Sequence, residues 1–289
     1  MTLRIRQLHL SFAAEVEGLD LSAPLAETTI AELTEAIDQY GVLVFAEQTL
    51  DDAAQIAFAS RFGPPERFVL TYRKDFAPRL SRPEMVDVSN LDPATGAPQG
   101  ADARFRMINL GNRLWHTDSS FRAPCGALSM LFAHAVPPAG GETEFVDTVT
   151  AYYALPPATQ AALDGLIAEH SLMHSRAMLG FDDFSAEERA ALPAARHPVV
   201  RTCPRTGRKS LYLASHASHI VGMPVPEGRL MLLELIEAAT RPDRIYRHAW
   251  RVGDLVLWDN RRTLHRGLAF DERFARDLRR VTTSDQAAA

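Results

Sequence analysis

Residues 245–260 read IYRHAWRVGDLVLWDN. Aliphatic and aromatic residues fill both arms, 245–250 and 255–258, and the step Val252-Gly253-Asp254 between them suits a turn, so the spacing predicts an antiparallel hairpin. Outward from it, strand-like stretches recur at 127–136, 143–146, 209–213 and 42–45 (VLVF), with a shorter candidate at 85–89. Helical patterns lie among them. TTIAELTEAIDQY at 28–40 sets Ile30, Leu33, Ile37 and Tyr40 at three- and four-residue steps before Gly41, which can take the left-handed conformation that ends a helix. Residues 51–62 begin acidic and stop at Gly63-Pro64-Pro65, while 152–167 and 227–239 read as helices by their spacing. From 66 to 107, Pro78, Pro83, Pro93 and Pro98 interrupt any period, and a long irregular stretch of this kind is expected to serve as an active-site lid. The pattern predicts a mainly β fold with flanking helices in a single domain, 1–289, without a linker.

Composition narrows the function classes. The chain has 289 residues, 46% of them apolar and 23% charged, the balance of an ordinary globular protein. Lysine and arginine number 31 against 36 acids, a net charge of −5, and no long basic run offers a footprint for nucleic acid. Cys125 and Cys203 are too few for a disulfide framework, which suits a reducing cytoplasm. Residues 1–10 lack the apolar core of a secretory signal, and no run of 18 apolar residues could span a bilayer, so no membrane is expected as a partner.

Ten histidines make metal the first chemistry to test. His116 and Asp118 stand two apart, so on extended backbone both side chains face one way. His265, just after the WDN end of 258–260, is the best-placed third ligand. Two imidazoles and one carboxylate on one face of a metal leave three positions open, the arrangement of non-haem Fe(II) oxygenases. His170 with His174, and His216 with His219, could share a helix face, but neither pair is followed by a further spaced ligand; both read as mostly structural, with His216 a possible pocket residue. Gly140-Gly141 is the only glycine pair, and neither a phosphate-binding glycine loop nor a G-x-S-x-G elbow is present. Arg261, Arg262, Arg266, Arg273, Arg276, Arg279 and Arg280 make the C-terminal segment basic. Most should form a solvated face, but a guanidinium shortly after a metal ligand can anchor an anionic substrate bidentately.

Taken together, His116-x-Asp118, Gly140-Gly141-Glu142-Thr143, Trp258-Asp259-Asn260, His265 and Arg276 resemble the taurine/2,4-dichlorophenoxyacetate family of Fe(II)- and 2-oxoglutarate-dependent dioxygenases. The stretches NRLWHTDSSF, SRAMLGFDDFS, GRKSLYL, SHASHIVGMPVPEGR and YRHAWRVGDLVLWDNR look closest to its 2,4-dichlorophenoxyacetate branch. The resemblance implies a double-stranded β-helix, or jelly roll, with His116, Asp118 and His265 as iron ligands. It implies Thr143 and Arg276 on the distal carboxylate of 2-oxoglutarate, Trp258 packed against that co-substrate, Arg280 on the anionic head of the primary substrate, and Asn112 as a substrate-contacting amide. Phe68, Val69, Leu70 and Tyr72 are candidates for an apolar ring pocket, with Lys74 a second anion contact and His216 a further substrate contact. The implied reaction uses O₂, with ascorbate as a supporting reductant, to hydroxylate the ether-adjacent carbon of an aryloxyalkanoate. Its products would be a phenol, glyoxylate, succinate and CO₂. The alternatives are a taurine or alkylsulfonate dioxygenase of the same mechanism, or a metal-binding jelly roll without catalysis; a zinc hydrolase on the same triad is disfavoured by Arg276. The partner expected is a small anionic organic molecule, and family membership implies a homo-oligomer.

Overall fold

The computed structural model describes residues 3–67 and 78–285. In chain order, β1 (Arg4–Gln7) and β2 (Ala14–Glu17) precede α1 (Glu27–Tyr40), β3 (Val42–Phe45), α2 (Asp52–Ser60), β4 (Met85–Asp87) and α3 (Arg104–Asn109). The middle holds β5 (Gly126–Ala135), β6 (Thr143–Asp147), α4 (Thr148–Tyr153), α5 (Pro157–Leu163), β7 (Ile167–His170), α6 (Leu172–Ala177) and α7 (Ala186–Ala191). After these come β8 (Ala195–Pro198), β9 (Val200–Thr202), β10 (Lys209–Leu211), β11 (Ala217–Ile220) and α8 (Val225–Ala239). The chain closes with β12 (Tyr246–His248), β13 (Leu255–Asp259), β14 (Thr263–Gly267) and β15 (Asp277–Ser284). Among the described residues, a seven-stranded sheet runs β1-β2-β3-β13-β5-β15-β4 and a second sheet runs β12-β6-β14. From β5 onward the strands of these two sheets pass back and forth between them, the winding of a double-stranded β-helix.

The two-residue period of each strand decides what faces what. On β13, Leu255 and Leu257 join the core beneath α1 and α2, whereas Val256 and Trp258 face the interior between the sheets. β3 does the same, with Leu43 and Phe45 outward and Val42 and Val44 inward. Leu257 and Phe45 are fully buried, each contributing roughly 1.5–3 kcal/mol of burial free energy. The helix at 28–40 and the strand at 42–45 form as expected, and Gly41 ends the helix at φ 71° while its amide caps Ile37. Asp51 caps α2 through the Ala54 amide.

Two expectations fail, one for a tertiary reason and one for a local reason. The 245–258 hairpin does not form: β12 pairs with β6, while β13 lies between β3 and β5. A strand apolar on both faces is more stable between two partners than at a ribbon's edge, and Gly253 instead bonds to Ala133 and Gln48 of neighbouring segments. The helix expected over 152–167 splits into α4 and α5 at Pro156-Pro157 and ends as strand β7. In the described part of 66–107 the strand candidate at 85–89 forms as β4, which pairs with β15, and α3 starts at Arg104.

Candidate active site

The inward faces of five strands converge at one end of the space between the sheets. β5 contributes Ser129 and Leu131, β6 Thr143, β13 Trp258, β14 His265 and β15 Arg280, all following the alternation above. His116 and His265 exchange backbone hydrogen bonds, 3.0 and 2.8 Å, which places their rings side by side with centroids 4.2 Å apart. Nε2 of each lies near Asp118 Oδ1, at 3.9 Å from His116 and 3.7 Å from His265. The three ligand atoms fall within 4.8 Å of one another, the only such group of His, Cys, Asp or Glu among the described residues. Burial, aided for His265 by His116, holds both imidazoles below their usual range and so in the neutral, ligating form. The Leu114 carbonyl at 2.8 Å fixes Nδ1 of His116 as the protonated nitrogen and leaves Nε2 its lone pair.

Asp118 is oriented with equal care. Oδ2 accepts from Ser129 Oγ at 2.7 Å, and Ser129 accepts in turn from Asn260 Nδ2 at 2.9 Å. Asn260 Oδ1 also receives the Asp118 amide and Trp258 Nε1, so one amide ties the WDN turn to the carboxylate. Burial opposes ionisation of Asp118, but its carboxyl is held below the usual range, with the Arg280 guanidinium and the Ser129 hydroxyl favouring the charged form. Arg280 Nη1 donates to Asp118 Oδ1, while its buried Nε has no partner among the described residues. The residues present fit a divalent metal of the Fe(II) type: a neutral imidazole pair plus one ionised, doubly anchored carboxylate.

Beside this trio opens a cavity of about 870 Å³, mouth included, lined by His116, His265, Thr143, Trp258, Arg276 and Arg280 among others. Arg276 is buried, and among the described residues its guanidinium donates only to neutral carbonyls, Val88 O and Gly141 O, each at 3.2 Å, with Nε unpartnered. Burial lowers its pKa to about 10. A buried guanidinium without a carboxylate is stable only if an anion completes it, and this one faces the cavity. Gly141, at φ 76°, makes the approach possible, since a Cβ there would stand 3.2 Å from Arg276 Nε. Trp250 Nε1 donates to Thr143 Oγ1 at 2.9 Å, which leaves the threonine proton free to be donated inward.

Asn112 lines the cavity as expected. His216 does not reach its wall: it stands behind His116, ring centroids 5.9 Å apart, with Nδ1 bonded to Ser175 Oγ at 2.9 Å. His170 and His219 lie on strands, so neither histidine pair shares a helix. The basic C-terminal segment is ion-paired more than solvated, with Arg262 on Asp147 at 2.6 Å, Arg266 on Glu144 at 2.8 Å and Arg261 on Asp259 at 2.8 Å. Tyr72, Lys74, Phe68, Val69 and Leu70 fall at 68–77, outside the described residues. The lid stretch supplies Val88, Ser89 and Asn90 to the cavity wall. Trp250 and Ser129 escaped the sequence reading; inward strand alternation, with Ser129 two before Leu131, was the signal available.

A family model described as taurine catabolism dioxygenase TauD, TfdA family matches residues 4–282. The chain belongs to this family. Within it, the chain is 46% identical over 287 residues, 99% of each protein, to the alpha-ketoglutarate-dependent 2,4-dichlorophenoxyacetate dioxygenase of Cupriavidus pinatubonensis. It is 36% identical over 274 residues, 92% of this chain and 90% of the relative, to the (S)-phenoxypropionate/alpha-ketoglutarate-dioxygenase of Sphingobium herbicidovorans. Among solved structures, AAD-2 in complex with Mn(II) and N-oxalylglycine superposes with a TM-score of 0.94 at 46% identity, covering 99% of both chains. As a TauD/TfdA-family dioxygenase the protein is an oxidoreductase, and its jelly roll is the family's.

Proposed function

We propose that this protein is an Fe(II)- and 2-oxoglutarate-dependent dioxygenase that cleaves an aryloxyalkanoate such as 2,4-dichlorophenoxyacetate. The observation that carries the proposal is the pair Arg276, buried just before β15, and Arg280, partly buried within it, beside the His116, Asp118 and His265 trio, each with an Nε unpartnered among the described residues. His116, Asp118 and His265 would hold the iron; Arg276 and Thr143 would bind the distal carboxylate of 2-oxoglutarate, with Trp258 as its wall. Iron, 2-oxoglutarate and O₂ together supply the oxidant, with loss of CO₂ and formation of succinate, and ascorbate keeps the metal reduced.

The chain's own residues decide which carbon reacts. Arg280 has hydrogen-bonding capacity beyond its contact with Asp118, and a substrate carboxylate held there is kept within reach of the metal face. Leu131, Leu268, Phe270 and Val88 give the cavity apolar walls suited to an aromatic ring. Among the described lining residues the single carboxylate is Glu272, already engaged by Arg106 and Arg113. Among the described residues no lining acid is therefore left for the ammonium group of taurine, which favours the aryloxyacetate over the sulfonate reading. Cys125 and Cys203 are free thiols, as befits a cytoplasmic enzyme. The test is an aerobic incubation with Fe(II), ascorbate and 2-oxoglutarate, in which 2,4-dichlorophenoxyacetate should stimulate succinate formation and yield 2,4-dichlorophenol. Stimulation by taurine alone, with sulfite released, would move the substrate class.

A further inference from the structure

On one side the cavity adjoins an outer depression. Four side chains, Arg106, Arg113, Phe270 and Glu272, line it and also line a broad outer depression bounded by Gln99, Ala101, Asp271 and Arg273. They are therefore the partition between the two spaces. Arg106 comes from α3 and Arg113 from the turn that follows it, whereas Phe270 and Glu272 belong to the segment between β14 and β15. Glu272 bridges the two guanidinia: one oxygen takes Arg106 Nε and the other takes Arg113 Nη2 at 2.9 Å. Two cations share one anion, so these four side chains carry one net positive charge, with Asp102 also acting on Arg106 and Asp271 paired to Arg273 at the outer rim. All three side chains are half-buried, where salt screens less than at an open surface.

The backbone around this partition is fixed. Asn90 Nδ2 donates to the carbonyls of Glu272 and Phe274, both at 3.0 Å, and Ala269 and Phe270 are held against Gly140 and Gly141. Passage thus requires rotation of side chains only, on the nanosecond scale of partly exposed groups. Phe270 lies over Arg276, ring centroid to guanidinium 5.6 Å, so the same segment that carries the bridging carboxylate also covers the innermost anion receptor.

We propose that Arg106 and Arg113, held apart from solvent anions by Glu272, form the entrance that captures anionic substrates and passes them inward to Arg276 and Arg280. The proposal rests on the reading of the cavity as a 2-oxoglutarate site. An incoming carboxylate exchanges for Glu272 on one guanidinium, so the bridge selects anions over neutral molecules of the same shape. The test is stopped-flow tryptophan fluorescence of Mn(II)-loaded protein mixed with 2-oxoglutarate, from about 0.02 to about 0.3 M NaCl. The wild-type association rate constant should fall with salt; in Arg106→Gln/Arg113→Gln it should be about tenfold lower at low salt and nearly flat across the range. Glu272→Gln should associate faster than wild type at low salt and lose rate more steeply with added salt, and this variant carries the test alone if the arginine pair does not fold. A common salt slope in all three proteins would overturn the entrance, leaving the cavity assignment standing. Absence of any 2-oxoglutarate binding by the wild type would instead overturn the cavity reading, and the entrance with it.

Discussion

Trp250 would act on the proposed 2-oxoglutarate site without lining the cavity, and its removal measures how much the orientation of one hydroxyl is worth. Its Nε1 donates to Thr143 Oγ1 at 2.9 Å, and its ring packs edge-on to His248 with centroids 4.6 Å apart. Trp250→Phe keeps most of that packing and removes the N–H. A neutral hydrogen bond contributes about 0.5–1.5 kcal/mol net, so 2-oxoglutarate should bind about two- to twelvefold more weakly. Thr143→Val removes the donor to a charged carboxylate and should cost more, about 1.5–3 kcal/mol. Because Trp250 acts through the Thr143 hydroxyl, the double variant should bind no worse than Thr143→Val, a coupling of about 1 kcal/mol. Calorimetric titration of the Mn(II)-loaded proteins with 2-oxoglutarate completes the cycle. Additive losses, or full affinity in a folded Trp250→Phe protein, would refute the reasoning.

Arg276→Leu removes a buried charge that no carboxylate balances, so the ligand-free protein should gain about 1 kcal/mol, a melting rise of about 2 °C, while 2-oxoglutarate binding is lost. Calorimetric melting without ligand checks the first half and titration the second. Ser129→Ala deprives Asp118 of its 2.7 Å donor and should weaken metal binding by about tenfold, read by competition with a chromophoric chelator. His170 is fully buried, both ring nitrogens lack partners among the described residues, and burial takes its pKa down to about 3. Its folded-state value lies below the unfolded value of about 6.5, so the stability it contributes is complete above that pH and drains away toward pH 3. His170→Phe should flatten that part of the denaturant-midpoint profile; an unchanged profile would assign the acid sensitivity elsewhere.

Local chemistry was legible where neighbours in sequence decide it. Gly41 ends α1 and Val42–Phe45 follows as β3 because capping and β-propensity act over a few residues. The 245–258 segment misled because both arms look like hairpin strands, and only the partners 42–45 and 128–132 reveal that β13 belongs inside the larger sheet. At the site, His116 and Asp118 show by spacing, and the motif set supplies His265, Thr143, Arg276 and Arg280. Trp250 and Glu272 do not show, since their partners lie 107 residues away for Trp250 and 166 and 159 residues away for Glu272. Arg262 read as a surface cation for the same reason, its burial being set by Asp147 across the fold.

The central claim is that oxidation is directed to the ether-adjacent carbon of a carboxylate held at Arg280. The most direct measurement is the molar ratio of 2,4-dichlorophenol to succinate in one reaction of the iron-loaded enzyme with 2,4-dichlorophenoxyacetate. A substrate so anchored should give a ratio close to one, falling sharply in Arg280→Ala as co-substrate turnover uncouples from substrate oxidation. Succinate formed without phenol by the wild type would contradict the account.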